Sequence, residues 1–301
     1  LEKVLVTGGA GYKGVKVVQA LLEKGFRVTI LDNFMYGCDS VLHLLKYENL
    51  DIVRADIRND IDNIGCYDII IHLAGISGYP ACEANVNSAQ LINVGATGRL
   101  VHSLSKSQLL IYASTTSFYG NSGKVCDEDT VIRPSSMYGI TKYQAEQIVA
   151  EKENAISLRF ATVFGVSPRM RTDLMVNDFT YRAVSEGTLV LFDGYAKRTF
   201  IHIEDAAVAY LFAIEHRDEM KGNIYNAGGN ELNYSKTEVA RIIQRKVDFS
   251  VIESGIKGRD VRNFIVLFDK IEKLGFRPKR TIEEGVIELL RLFRFFEPHS
   301  Q

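Results

Sequence analysis

Lys3-Val-Leu-Val-Thr-Gly-Gly-Ala-Gly-Tyr-Lys-Gly14 is the stretch that decides the fold. Val4 to Val6 is a short apolar run of the kind that forms a buried strand. Gly8, Gly11 and Gly14 follow at three-residue spacing. The stretch from Gly14 to Lys24 then reads as an amphipathic helix, stopped by Gly25. A strand, a glycine loop and a helix in that order give a tight turn, a close backbone approach to a pyrophosphate and close helix–strand packing. The N-terminus of the helix offers free N–H groups to the anion. The unit therefore reads as a dinucleotide site.

Outward from this unit the pattern repeats. Arg27 to Leu31, Asp51 to Ala55, Tyr67 to Leu73, Leu109 to Ala113 and Ile156 to Phe160 read as strands. Asn85 to Lys106 reads as one long helix, and another starts at Ser136. Strands alternating with helices imply right-handed crossovers and a doubly wound parallel sheet of Rossmann type, an α/β fold. Ligands in such sheets bind at the carboxyl ends of the strands. Asp32 stands at the end of the second strand, in Ile30-Leu-Asp-Asn-Phe34. A carboxylate there accepts hydrogen bonds from both hydroxyls of an adenosine ribose and repels a 2′-phosphate, so NAD is expected rather than NADP. Asp56 and Ile57, after the third strand, could contact the adenine.

Beyond residue 165 the regular alternation breaks. Met175 to Ser185, Glu204 to Glu215, Tyr234 to Lys246 and Thr281 to Phe295 read as helices. Leu189 to Phe192, Thr199 to Ile203 and Gly222 to Ala227 read as strands. The expected division is a dinucleotide-binding domain over residues 1–165, rejoined by segments near 199–227. Residues 166–301 would form a smaller α/β portion, mainly for substrate. With 301 residues, 46% hydrophobic, the chain can bury a large core. A net charge of −1 argues against a nucleic-acid partner. No apolar stretch is long enough to span a bilayer, so no membrane association is expected. Cys38, Cys66, Cys82 and Cys126 are scattered with no Cys-x-x-Cys pair. Neither a metal site nor a disulfide framework is expected, and with no signal-peptide architecture at the start a reducing cytoplasm fits.

Tyr138-Gly-Ile-Thr-Lys142 places a phenol and an ammonium four residues apart, on one face of a helix. A cation beneath a phenol favours its phenolate, which is what a tyrosine needs to act as a base. The spacing alone also fits a solvated helix, and the glycine loop gives it meaning.

The ordered set of motifs resembles the extended short-chain dehydrogenase/reductases, the NAD-dependent epimerase/dehydratase family, over nearly the whole chain. The resemblance rests on the glycine loop, Tyr138/Lys142, His72-Leu-Ala-Gly75, Asn93-Val-Gly-Ala-Thr97 and Ala113-Ser-Thr-Thr-Ser-Phe-Tyr-Gly120. It continues through Leu158-Arg-Phe-Ala-Thr-Val-Phe-Gly165, Arg198-Thr-Phe-Ile-His-Ile-Glu-Asp205, Gly258-Arg-Asp-Val-Arg262 and Leu274-Gly-Phe-Arg-Pro278. It implies that Thr115 supplies a hydroxyl to the substrate oxygen beside Tyr138, with Lys142 as the third catalytic residue. NAD would be held by Gly8, Gly11, Tyr12, Lys13, Gly14, Asp32, Asn33, Asp56 and Ile57, by Leu73, Ala74, Gly75 and Asn93, and by Tyr138 and Lys142. His72 would be structural. A nucleotide-diphosphate sugar would meet Thr115, Thr116, Thr162, Asp173, Asn177, Arg198 and Arg262, with Arg259 in a similar late position. Arginine suits a diphosphate because its planar fork pairs bidentately with the oxygens. A homodimer through the helices of Asn85–Lys106 and Ser136–Lys152 is also implied.

Family members share oxidation at a sugar carbon and differ in the fate of the keto sugar. Dehydratases resemble one another in carrying Asp-Glu after the catalytic threonine, because elimination needs an acid and a base. Here those positions are Thr116 and Ser117. A decarboxylase glutamate and a 3,5-epimerase cysteine are absent from the same place. What remains is a nucleotide-sugar 4-epimerase acting through a 4-keto sugar, whose small Thr116 and Ser117 suit rotation of the sugar. A 4-dehydrogenase similar to the GDP-heptose type is the alternative, and a non-catalytic NAD-binding regulator the remote one. Two departures from the family pattern stand out: Lys13 at a usually apolar position, and Thr162 in place of a frequent asparagine.

Overall fold

The computed structural model describes residues 1–59, 61, 63–256, 258 and 262–297. Arg259 lies outside them. The strands are β1 (Lys3–Thr7), β2 (Arg27–Asp32), β3 (Leu50–Arg54), β4 (Ile69–His72), β5 (Leu109–Thr115), β6 (Val125–Cys126) and β7 (Ala155–Phe160). They continue as β8 (Thr162–Phe164), β9 (Thr188–Phe192), β10 (Lys197–His202), β11 (Asn223–Ala227), β12 (Asn233–Ser235), β13 (Ser250–Ser254) and β14 (Ile265–Val266). The helices are α1 (Gly14–Glu23), α2 (Tyr79–Ala84), α3 (Val86–Ala89), α4 (Thr97–Ser103), α5 (Met137–Ala150) and α6 (Met175–Ser185). After them come α7 (Ile203–Glu215), α8 (Arg217–Met220), α9 (Lys236–Gln244), α10 (Asp269–Glu272) and α11 (Ile282–Leu292).

Seven strands form one parallel sheet in the order β11-β7-β5-β4-β1-β2-β3. The chain leaves β1 toward β2 on one side and reaches β4 on the other. This reversal opens a crevice at the carboxyl ends, where Thr7, Asp32, His72, Thr115 and Phe160 lie. Side chains alternate across the sheet with the two-residue period of a strand. In β5, Leu109, Ile111 and Ala113 enter the core shared with α1 and α7, while Leu110 and Tyr112 enter the core under α4 and α5. Both faces are covered, so the inner strands read as nearly unbroken apolar runs.

Three expectations are revised. The helix expected over Asn85 to Lys106 is not uniform: Asn85 caps α3, and Gln90–Ala96 is a wide π-helical turn before α4. The wide turn goes with Asn93, whose side chain must reach backward to the loop after β4. The helix expected from Tyr234 begins only at Lys236. Tyr234 instead pairs with Arg198 in β12–β10, and Ser235 and Glu238 form a capping box. Of the segments near 199–227, Asn223–Ala227 joins the main sheet beside β7, whereas β10 belongs to a separate three-stranded sheet, β12-β10-β8. Among the described residues no helix is long and apolar enough to cross a membrane.

Candidate active site

The glycine loop is built so that backbone can lie where side chains would not fit. Gly8 has φ +72°, and a Cβ on it would come within 2.7 Å of Ala74 N. A Cβ on Gly14 would come within 2.2 Å of Gly8 O. Gly11 N donates to Gly8 O at 3.2 Å, closing the turn. Helix α1 begins with no side-chain cap and no acidic residue in its first turn. Val15 N is turned back to Gly11 O at 3.1 Å, and the positive dipole end with the remaining first-turn N–H groups is left for an anion. Asp32 is fixed at the edge of the same crevice: its Oδ2 accepts Ala10 N at 3.1 Å and its Oδ1 accepts Phe34 N at 2.9 Å. Each oxygen keeps lone pairs for a further donor. A tight glycine cradle, an uncapped helix start and an anchored carboxylate together fit a dinucleotide.

Around this cradle the other residues expected at the cofactor divide into two groups. Asn33 is exposed beside Asp32. Asp56 is held down to about 2, first by its hydrogen bond from Arg58. Ile57 is buried in the core under α4 and α5. Leu73 N donates to Thr7 O, and Ala74 N reaches Thr7 Oγ1 at 3.4 Å, so this strip runs alongside the glycine loop. Gly75 gives Asn93 room: Asn93 Oδ1 accepts Ile76 N at 2.8 Å, and Asn93 Nδ2 donates to Ile76 O at 3.0 Å and to Thr141 Oγ1 at 3.1 Å. Asn93 thus ties the loop after β4 to the helix that carries Tyr138.

His72 is committed to structure. Thr97 Oγ1 spends its proton on Asn93 O, so it accepts from His72 Nε2 at 2.9 Å. His72 Nδ1 then accepts from Thr7 Oγ1 at 2.7 Å. Burial lowers this imidazole to about 3, and it stays neutral.

Tyr138 and Lys142 are both half-buried on α5, whose start is capped by Ser136 Oγ accepting Gly139 N. Lys142 Nζ lies 4.1 Å from the centre of the Tyr112 ring. Among the described residues no hydrogen bond joins it to the Tyr138 hydroxyl. Burial, and then repulsion from Lys13, lower its ammonium to about 7. Thr115 is buried at the end of β5, its Oγ1 accepting Ser117 N at 3.1 Å and keeping its proton to donate.

The expected substrate residues are dispersed. Thr116 turns its hydroxyl away to Phe160 O at 3.1 Å, and Asn177 is fully buried, its amide joining Gly165 N, Tyr12 Oη and Arg171 O. Thr162 starts β8, half-buried. Asp173 is exposed and paired with Arg171, which also reaches Ser77 Oγ at 3.3 Å. Arg198 is buried on β10 near the Phe264 ring. Arg262 Nη1 donates to Ser117 Oγ at 2.7 Å, two residues beyond Thr115.

Sequence reasoning missed the anchor of α5. Glu146 is fully buried, meets Arg159 at 2.7 Å and accepts from Ser114 Oγ at 2.6 Å. Its signal was the spacing: Tyr138, Lys142 and Glu146 recur every four residues along one stripe, with Arg159 inside an otherwise apolar strand.

Residues 4–228 match the NAD dependent epimerase/dehydratase family. The chain is 29% identical to a putative UDP-glucose 4-epimerase of Methanocaldococcus jannaschii, covering 94% of this chain and 95% of that protein. Among solved structures it resembles MoeE5 in complex with UDP-glucose and NAD, at 26% identity and TM-score 0.81 over 97% of this chain and 98% of that one. The UDP-glucuronic acid 4-epimerase of Bacillus cereus, 23% identical, shares the fold at TM-score 0.85 over 97% of this chain and 99% of that one.

Proposed function

The chain belongs to the NAD dependent epimerase/dehydratase family, and from that premise we propose that it is a nucleotide-sugar 4-epimerase acting through a 4-keto sugar. Backbone at Gly8, Gly11 and Gly14 with the start of α1 would hold the pyrophosphate of NAD, and Asp32 its adenosine ribose. When bound, NAD supplies the hydride acceptor for the sugar carbon. Tyr138 takes the proton of the C4 hydroxyl, and Thr115 holds that oxygen with the proton its hydroxyl still has free. Lys142 supplies positive charge beside them. Inversion then requires that the keto sugar present its other face before C4 regains hydrogen.

The observation that carries this reading is the turn after Thr115. Residues 116–119 are Thr, Ser, Phe and Tyr, so it brings no carboxylate to the reacting carbon. Elimination needs such a group, and a hydride cycle does not. Arg198 and Arg262 are the arginines for the diphosphate. Relatives that carry UDP-sugar names support a UDP-sugar as substrate. Exposed Val86 and Leu91, before α4, support pairing of two copies through these helices.

The test is incubation with UDP-glucose, UDP-glucuronate and other nucleotide sugars, following NADH absorbance and product stereochemistry. The expected result is the C4 epimer with no net NADH. Stoichiometric NADH and a released 4-keto sugar would replace the epimerase with a 4-dehydrogenase.

A further inference from the structure

Lys13 is the residue of the glycine loop that backbone geometry does not explain. Its side chain turns toward the end of β7, with Nζ 4.2 Å from the centre of the Phe160 ring and 3.4 Å from Tyr210 Oη. Lys142 lies on a second ring one strand away, that of Tyr112 midway along β5. Two ammonium groups thus sit on aromatic faces of neighbouring strands, Lys13 at the end of β7 and Lys142 midway along β5. Aromatic faces stabilise a cation without neutralising it.

The groups around Lys13 leave this charge uncompensated. Helix α7 contributes Tyr210, α5 contributes Tyr138 and Lys142, the loop before α6 contributes Arg171, and the glycine loop itself contributes Tyr12. Strand β7 contributes only the Phe160 ring. The nearby carboxylates are committed, Asp173 to Arg171 and Glu146 to Arg159 and Ser114, and Glu146 with the Cys82 thiol of α2 offsets only part of the repulsion at Lys142. Among the described residues neither Lys13 nor Lys142 forms an ion pair. Lys13 directly precedes the uncapped first turn of α1, so an anion seated there adds its negative charge to this same pocket.

Building on the assignment of this crevice to NAD, we propose that Lys13 is a proton-binding cofactor residue. Seating the dinucleotide pyrophosphate on the glycine loop draws a proton onto the Lys13–Lys142 pair, so cofactor binding is coupled to proton uptake. Two like charges in a crowded pocket resist being protonated together, and an added anion removes the resistance. Burial and then repulsion from Arg171 lower Lys13 to about 7, and burial and then repulsion from Lys13 lower Lys142 to about 7. An unliganded pair therefore lacks part of its charge just above neutral pH, which is where uptake is largest.

The experiment is calorimetric titration of the whole protein with NAD⁺ at pH 8, in two buffers of different ionisation enthalpy. Wild type should take up about one proton or more per NAD⁺. Lys13→Met and Lys13→Arg should each lose about half of that uptake or more, because neither side chain titrates in this range. Lys13→Arg should keep the affinity that Lys13→Met loses. Retained affinity with lost uptake separates proton binding from a structural role. Uptake unchanged in both variants, or none in wild type, overturns the proposal. Failure of NAD⁺ to bind at all overturns the assignment of the crevice, and this proposal with it.

Discussion

Lys142 and Glu146 lie one turn apart on α5, and the protein treats their charges in opposite ways. Glu146 has a full complement of partners in the interior: Arg159, Ser114, and beyond Arg159 the hydroxyl of Tyr119 and the carbonyl of Glu128. Lys142 has no ion pair among the described residues: it meets a ring face and a second lysine, and only the more distant pull of Glu146 and Cys82 offsets part of that repulsion. A charge drawn partly out of water without a partner is costly, so a half-buried ammonium left unpaired suits a ligand that brings negative charge. The paired end of the helix holds α5 against β5 and β7. The unpaired end faces the carboxyl edge of the sheet, where the ligand belongs. Within one element, compensation of charge separates scaffold from site.

The comparison breaks first at Tyr138. Tyr138→Phe should cut turnover on the best nucleotide sugar by about 10²–10⁴-fold, with NAD⁺ affinity and the unfolding midpoint largely kept. A comparable loss of stability would mean that the unpaired end of the helix is scaffold as well. The paired end should behave in reverse. Glu146→Ala strands Arg159 in the interior and should cost about 3–5 kcal/mol in denaturant unfolding. Replacing both partners, as Glu146→Leu with Arg159→Met, should restore most of that stability, since no ion is then left unpaired.

The smallest effect is on pH dependence. Lys13 and Lys142 are both lowered to about 7, well below the range of an unfolded lysine. Above pH 7 the unfolded chain therefore binds more protons at these two positions than the folded one, and they make stability rise with pH. Their destabilising contribution is complete below pH 7 and is relieved as pH increases. Between pH 7 and pH 8, below the main ionisation of the thiols and phenols of the unfolded chain, the cofactor-free protein should gain about 1 kcal/mol or more, and Lys13→Met should lose part of that gain. A gain unaltered in Lys13→Met would remove Lys13 from the uncompensated set.

The sheet and the cradle were legible because residue type alone carries them. Gly8 and Gly14 stand where a Cβ would strike backbone, and the apolar runs of β1, β4 and β5 announce strands covered on both faces. Directions of side chains were not legible. Thr116 follows Thr115 in sequence yet points into Phe160 O. Asn177 falls in the substrate segment yet is sealed inside. Strand and helix period say which face a residue occupies, whereas the partner it finds depends on an element far along the chain. The π-helical turn at Gln90–Ala96 was hidden for the same reason, since the loop that Asn93 grips is more than a dozen residues earlier.

That sealed asparagine has a consequence for enzyme engineering. Tyr12 of the glycine loop donates to Gly165 O at 2.8 Å, and Asn177 of α6 joins the same tyrosine and the same glycine. The glycine loop and α6 are therefore tied to each other rather than hinged. A chimera that grafts the segment around α6 from another sugar-nucleotide enzyme has to bring residue 12 with it. Otherwise a change intended for sugar preference is transmitted to the loop that cradles the dinucleotide.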